Sequence, residues 1–141
     1  MRRARPGDAL AVRRLLKDLG YTGESRATDE TVSHVLKHPE AVVFVAAAGL
    51  DVLGYVAVSV RPQMRLAGLL ASVDELVVGT TRRGEGIGTK LLEAAVAHAK
   101  NMHCKRIDVL QSRARESYLR GFYQKHHFVE VDTAVMRIDL T

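Results

Sequence analysis

Residues 82–92, RRGEGIGTKLL, place three glycines between a strand-like apolar run, residues 76–78, and an amphipathic stretch. Apolar residues after the glycines recur at helical spacing, so the pattern predicts a strand that passes through a glycine turn into a helix. A helix N-terminus presents unpaired backbone N–H groups and the positive end of the helix dipole, and glycine allows the backbone to approach a phosphate closely. The sequence therefore predicts a binding site for a phosphorylated ligand.

Two common nucleotide motifs do not fit this turn. A Walker-type phosphate loop needs a lysine directly after its last glycine, whereas Gly84 is followed by Glu85. A dinucleotide fingerprint needs the spacing GxGxxG, whereas Gly84, Gly86 and Gly88 are evenly spaced. The turn is therefore predicted to hold a phosphorylated ligand of another kind.

The spacing that remains, (Q/R)xxGx(G/A), is met by Arg83, Gly86 and Gly88 and resembles the acetyl-CoA signature of the GNAT acetyltransferase superfamily. A β-like ELVV run precedes it, a helical run follows it, and the later GFYQKHHF is similar to the family's FYxxxGF element. The resemblance spans residues 41–131. It implies an N-acetyltransferase that moves the acetyl group of acetyl-CoA to a primary amine of a small molecule or protein, by direct transfer in a ternary complex and without a metal.

The resemblance also implies which residues hold acetyl-CoA. In the family, the strand before the glycine turn splays away from its neighbour, and the pantetheine arm pairs with its backbone like an extra strand. A backbone N–H of that strand would then stabilise the oxyanion that forms during acetyl transfer. The implied contacts in this sequence are Leu76, Val77, Val78, Arg83, Gly84, Glu85, Gly86, Ile87, Gly88 and Thr89.

Glu75 is the candidate general base. Alternation along a strand places Glu75 and Val77 on one face and Asp74 and Leu76 on the other, so only one of the two acids can point into the substrate cleft. The resemblance implies that Glu75 takes a proton from the acceptor amine, directly or through water. The alternative is a solvated charge at a strand end, with solvent as the base.

Tyr123 is the candidate general acid, because it matches the family tyrosine that protonates the departing thiolate. Leu119, Phe122 and Tyr123 share one side of a predicted helix, so a purely packing role is the alternative. The chain departs from the family pattern in having His127 where relatives commonly have glycine and Glu116 where many have asparagine. The first departure requires His127 to adopt a backbone conformation that glycine adopts more easily.

The element order predicts an α+β fold, similar to that of the GNAT acyltransferases, with a mixed sheet of six to seven strands flanked by four helices. The first predicted helix is capped by Asp8 and ends at Gly20. Further helices are predicted from Thr28 until Pro39, over residues 86–100 and over residues 116–125. Strands are predicted at residues 2–5, 41–48, 52–60, 69–78, 106–110, 128–131 and 134–140.

Composition indicates one globular domain, residues 1–141, with 47% hydrophobic and 26% charged residues. The longest apolar stretch, residues 41–48, is far shorter than the roughly 20 residues of a membrane helix, and the first arginines are not followed by a signal-peptide core. The lone Cys104 fits a reducing compartment, so a cytoplasmic protein is expected. A homodimer is compatible with these features.

Net charge and side-chain composition indicate which classes of ligand and partner this chain can bind. A formal charge of +5 suits the phosphates of CoA, while four Tyr, three Phe and no Trp offer little for base stacking and argue against a nucleic-acid partner. The six histidines lack metal-ligand spacing; His34 and His38 share a helix face and are candidates for the acceptor pocket. A catalytically lapsed CoA-binding module and a basic nucleic-acid-binding protein are the alternative functions.

Overall fold

The structure, a computed structural model, describes residues 1–17 and 28–141. The described chain forms two compact units, Met1–Leu110 and Gln111–Thr141. The first unit contains the sheet and the three longer helices, and the second contains the aromatic GFYQKHHF segment. The predicted stop of the first helix at Gly20 lies outside the described residues.

In the described residues, a five-stranded sheet in the order β1-β2-β3-β4-β5 forms the centre of the first unit. Neighbouring strands are antiparallel except β4 and β5, which are parallel, so the predicted mixed sheet is confirmed. The predicted hairpin between the second and third strands is also confirmed, with Gly49 at a φ of +61° in its turn. The strands are β1 (Arg2–Arg3), β2 (Ala41–Ala48), β3 (Asp51–Gln63), β4 (Gly68–Val78) and β5 (Arg106–Val109).

Four α-helices are present in the described chain: α1 (Ala9–Leu16), α2 (Asp29–Lys37), α3 (Ile87–Asn101) and α4 (Glu116–Leu119). The predicted cap of α2 is confirmed, because the Thr31 N–H donates to the Thr28 hydroxyl at 3.2 Å. In α3, which connects β4 to β5, Leu91, Leu92, Ala95 and Ala99 of the predicted apolar stripe are buried, while Lys90 and Glu93 are exposed. None of these helices is long and apolar enough to cross a membrane.

The two faces of the sheet are covered by different helices. On one face, Val45, Tyr55 and Val77 lie in a row across three strands and pack with α1 and α2. On the other face, α3 packs so closely that a Cβ on Gly54 would lie 2.7 Å from the Val77 carbonyl oxygen and 3.1 Å from Leu91 Cδ1. Glycine is therefore required at residue 54 for α3 to reach the sheet.

The predicted number of strands was too high. Residues 128–141, where two terminal strands were expected, form neither helix nor strand, and the described sheet has five strands. Met136, Ile138 and Leu140 alternate with polar residues, yet their side chains are 90%, 82% and 88% exposed. Alternation makes a segment competent to form a strand, but a strand also needs an edge to pair with.

Two local predictions at helix ends were also wrong. The last helix, expected over residues 116–125, is the short α4, because Gly121 takes a φ of +67° that ends it, and a 3-10 turn follows at Gln124–His126. Asp8 does not cap α1 with its side chain. Instead its buried carboxylate accepts bonds from the Arg2 guanidinium at 2.8 and 3.1 Å and from the Arg5 N–H at 2.7 Å, which ties β1 to the start of α1.

Candidate active site

A β-bulge in β4 determines where its two acidic residues point. Glu75 pairs with Ala57 and Val73 pairs with Val58, so Asp74 is an extra residue without a partner in this register. The Asp74 side chain is exposed, while Glu75 is half-buried on the sheet face that carries α1 and α2. The bulge interrupts the regular alternation from which the separation of the two acids was predicted, and Glu75 is the acid that lines a cavity.

Tyr55 holds the Glu75 side chain in place. Its hydroxyl donates a hydrogen bond of 2.8 Å to Glu75 Oε2, and its ring is 1% exposed. Burial, followed by the neighbouring charge of Glu75, raises the pKa of the Tyr55 phenol well above its usual range, so this hydroxyl keeps its proton and remains a donor.

Sequence reasoning missed Tyr55, because it lies 20 residues before Glu75 and belongs to a different strand. Register supplies the signal: Tyr55 pairs with Val77 and Ala57 pairs with Glu75, so Tyr55 and Glu75 are diagonal neighbours on one face. A predicted β3–β4 pairing with the bulge at Asp74 would have found the contact.

A cavity of about 150 Å³ lies between this sheet face and the two helices α1 and α2. Glu75 is the one charged residue among the described residues that line it. His34 and His38, which were candidates for the acceptor pocket, are exposed and are not among the described lining residues. The lining consists of Val12, Leu16, Thr31, Val32, Val35, Leu36, Val43, Tyr55, Ala57 and Glu75.

The end of β4 leaves one backbone edge open toward β5. Parallel pairing of β4 with β5 begins at Leu70 and Arg106 and ends at Val73 and Val109. Within the described residues, β4 therefore continues to Val78 without a β5 partner, while its other edge pairs with β3 except at the bulge residue Asp74. The buried side chain of Val77 packs in the core, so Val77 offers a ligand only its backbone, whereas Leu76 and Val78 are half-buried.

The glycine turn, residues 83–88, connects this strand end to α3. Gly84 and Gly86 have φ angles of +86° and +79°, and Gly86 is the N-cap of α3. A Cβ at either position would meet no atom within 4 Å, so both glycines border open space. The start of α3 presents N–H groups in that region, and glycine has no side chain to cap them. This geometry fits the approach of a phosphate group.

Side-chain contacts hold the turn in shape. Arg82 Nε donates to Glu85 Oε2 at 2.8 Å, and Arg83 Nε donates to the Val78 carbonyl oxygen at 3.4 Å. Glu85, implied as a cofactor contact, therefore has an ion-pair partner directly before the turn. Ile87, Gly88 and Thr89 form the first turn of α3 and are half-buried.

Tyr123 lies in the second compact unit, Gln111–Thr141. Its ring packs edge-on against Phe122 and Phe128, with centroids 5.0 and 5.6 Å away. The glycine-like backbone conformation predicted for His127 is confirmed, since this residue adopts a left-handed φ of +71°. Leu119, expected to be buried beside Tyr123, is 73% exposed. The catalytic role of Tyr123 stays a prediction.

Other titratable groups lie away from the cavity. His98 of α3 packs edge-on against Phe44 at 5.8 Å, and its pKa is lowered first by burial and then by the charge of Arg3. Burial raises the pKa of the Cys104 thiol. In the described parts of the chain, no three His, Cys, Asp or Glu side chains are grouped as metal ligands would be.

These features can be compared with known proteins. Residues 10–128 match the family model of the acetyltransferase (GNAT) family. The chain belongs to this family. The GNAT fold is shared with a transcriptional regulator from Bacillus halodurans C-125, which is 23% identical, with a TM-score of 0.85 over 98% of this chain and 97% of that one. No curated protein sequence matches the chain.

Two solved acetyltransferases share the GNAT fold at lower identity. The ribosomal-protein-alanine N-acetyltransferase from Brucella melitensis biovar Abortus 2308 is 20% identical, with a TM-score of 0.79 over 96% of both chains. The aminoglycoside N-acetyltransferase AAC(6')-Iy, solved in complex with CoA, is 17% identical, with a TM-score of 0.80 over 99% of this chain and 93% of that one. These similarities establish the fold, while the acceptors of the two enzymes differ from each other.

Proposed function

We propose that this protein is an acetyl-CoA-dependent N-acetyltransferase that acetylates a primary amine by direct transfer in a ternary complex. One observation carries the proposal: the Glu75 carboxylate, held by the Tyr55 hydroxyl, faces a cavity large enough for an acceptor. Family membership supplies the reaction class. The strand that carries Glu75, β4, ends in an open backbone edge and a glycine turn, so a place for a phosphorylated co-substrate lies on the same strand.

The residues at the glycine turn fit acetyl-CoA. Open space at Gly84 and Gly86 and the N–H groups at the start of α3 suit its phosphates, and AAC(6')-Iy binds CoA on the same fold. The residues that would hold it are those of the turn, 83–88, together with Thr89 and the backbone of residues 76–78. Acetyl-CoA supplies the acetyl group as an activated thioester.

Glu75 acts in this proposal as the general base. A primary amine is largely protonated near neutral pH, since an alkylammonium group has a pKa of about 10, and it must lose a proton before it can attack a carbonyl carbon. The Glu75 carboxylate accepts that proton at the oxygen that faces the cavity. Tyr123 remains the sequence-based candidate for the proton donor to the departing thiolate.

The proposal is tested with Glu75→Gln and the matched control Asp74→Asn, which removes the adjacent exposed charge. Thiol release from acetyl-CoA is followed with a panel of primary amines. For Glu75→Gln we expect a rate on the order of 10²-fold lower at pH 7, with partial recovery at higher pH as free amine appears, because a positioned base contributes roughly 10²–10⁴-fold. Asp74→Asn should keep the parent rate.

Two outcomes would overturn parts of this proposal. Equal rates for Glu75→Gln and the parent protein at every pH would show that solvent is the base. Acetyl-CoA binding without turnover of any amine would show a CoA-binding module that has lost its chemistry. Binding is measured separately by thermal shift, since a ligand that binds only the folded state raises the melting temperature.

A further inference from the structure

The cavity beside Glu75 is lined mainly by aliphatic side chains. Seven of its ten described lining residues are aliphatic, and they come from α1, α2 and the sheet face. Val43, Ala57 and Glu75 lie in one row across β2, β3 and β4, so the carboxylate borders an aliphatic floor. A molecule bound with its nitrogen at Glu75 would therefore contact carbon on the adjacent surfaces.

The polar end of the cavity is small. Glu75 is the single charged side chain among the described lining residues, and one of its oxygens already accepts the Tyr55 hydroxyl. The remaining lone pairs can serve one ammonium group. A second buried ammonium or a set of hydroxyls would lose water without gaining described partners, and burying an unpaired polar group is unfavourable.

The volume limits the size of the carbon group. A cavity of about 150 Å³ lined by aliphatic side chains is large enough to hold a benzene molecule. That corresponds to about four to six carbon atoms beyond the amine nitrogen. Val35 of α2 is 52% exposed and Thr31 is also exposed, so the cavity has a solvent-facing rim through which an amine can enter.

We propose that the acceptor is a compact primary amine with a single charge and an apolar carbon group of about this size, an aliphatic or benzyl-type amine. This inference rests on the proposed function and specifies its substrate class. It sets this chain apart from AAC(6')-Iy, whose aminoglycoside substrates are polycationic and rich in hydroxyl groups. Discrimination comes from aliphatic contacts, which favour methylenes over a second ammonium group.

A pair of amines of equal length provides the direct test. n-Pentylamine and 1,4-diaminobutane have the same number of non-hydrogen atoms. The far end of n-pentylamine is a methyl group, whereas the far end of 1,4-diaminobutane is a second ammonium group. We expect kcat/KM for n-pentylamine to exceed that for 1,4-diaminobutane by at least about tenfold. Along the series from ethylamine to n-hexylamine, kcat/KM should rise by about fourfold per methylene and then level off as the cavity fills.

A variant pair on α1 connects this preference to the cavity. Leu16 lines the cavity, whereas Leu10 is 45% exposed and lies elsewhere on the same helix. Leu16→Ala should move the preferred chain length toward n-octylamine, because it enlarges the apolar space. Leu10→Ala should leave the preference at the parent length. Circular dichroism shows whether each variant is folded. If Leu16→Ala is unfolded, it is replaced by Val12→Thr, which adds polarity to the cavity wall at constant volume.

Binding is measured without chemistry by calorimetric titration of the CoA-saturated protein with n-pentylamine and with 1,4-diaminobutane. Tighter binding of n-pentylamine together with its faster acetylation supports the inference. Acetylation that favours 1,4-diaminobutane or an aminoglycoside overturns the inference and leaves the proposed function standing. Binding of n-pentylamine without acetylation of any amine overturns the proposed function and the acceptor assignment with it, and leaves only the preference of the cavity for an apolar amine. A protein that neither binds nor acetylates any amine overturns that preference as well.

Discussion

At the scale of single residues, the site depends on one hydrogen bond between two strands. Glu75 is half-buried beside aliphatic side chains, and a carboxylate in such a place needs a defined partner. Tyr55 provides it through a hydroxyl that remains protonated because its surroundings are buried and negatively charged. Tyr55 is therefore a positioning residue in our proposal, acting on the acceptor only through Glu75.

Tyr55→Phe tests this role, because it removes the hydroxyl and leaves the ring to pack. We expect kcat to fall by about 10- to 100-fold while KM for acetyl-CoA stays unchanged, since a misplaced catalytic group slows the chemistry and not co-substrate binding. In the Glu75→Gln background, the same change should cost no further rate. A melting temperature that falls with an unchanged kcat would show that the hydrogen bond is only structural.

At the scale of elements, the sequence predicted those features that follow from local periodicity. The stripe from Ile87 to Ala99 and the glycines before it were sufficient to place α3 after a strand. The bulge at Asp74 and the contact of Tyr55 with Glu75 were not predicted, because both depend on how β3 pairs with β4. The prediction of the terminal strands was wrong for the same reason. Residues 134–140 alternate as a strand does, but strand pairing depends on two segments.

The turn between β4 and α3 gives a prediction about co-substrate binding. Gly86→Ala places a methyl group in the open space at the N-terminus of α3 and should weaken acetyl-CoA binding by about tenfold or more, because a phosphate can no longer approach the backbone. Gly49→Ala is the matched control. Gly49 also has a positive φ and open space at its Cβ position, but it lies in the β2–β3 turn.

Both alanine variants should lose similar stability, about 1–2 kcal/mol, because a non-glycine residue is disfavoured in the left-handed region. The difference between them in calorimetric titrations with acetyl-CoA therefore measures the ligand contact and not the backbone strain. Equal affinity of the two folded variants would remove the glycine turn from the co-substrate site, and the phosphates would have to bind elsewhere.

At the scale of the whole molecule, sequence predicted the fold class better than it predicted the cavity. The α+β order and the parallel β4–β5 pair follow from a strand, a helix and a strand in succession. The described residues that line the cavity are spread between Val12 and Glu75, and only the folded sheet brings Glu75 against the aliphatic side chains of α1 and α2. The acceptor class therefore does not follow from the sequence.

A buried histidine makes the stability of the fold depend on pH. His98 lies between α3 and the sheet, and its pKa in the folded protein is below the ordinary value of 6.5 because burial and the charge of Arg3 disfavour its charged form. Well above pH 6.5 the residue is neutral in both the folded and the unfolded chain and contributes no pH dependence. Below pH 6.5 the unfolded chain takes up a proton that the folded chain resists, so stability falls as the solution becomes more acidic.

We therefore expect the melting temperature to decline between pH 7 and pH 5, and the decline to be smaller in His98→Gln, which cannot take up this proton. His34→Gln, at an exposed histidine of α2, is the control and should keep the parent slope. Thermal unfolding followed by circular dichroism at several pH values measures both slopes in one experiment. His98→Gln also loses the edge contact with Phe44, so a lower melting temperature at every pH is expected and only the slope decides. An identical slope in His98→Gln and the parent protein would contradict the prediction, because the proton uptake that destabilises the fold in mild acid would then occur at other groups.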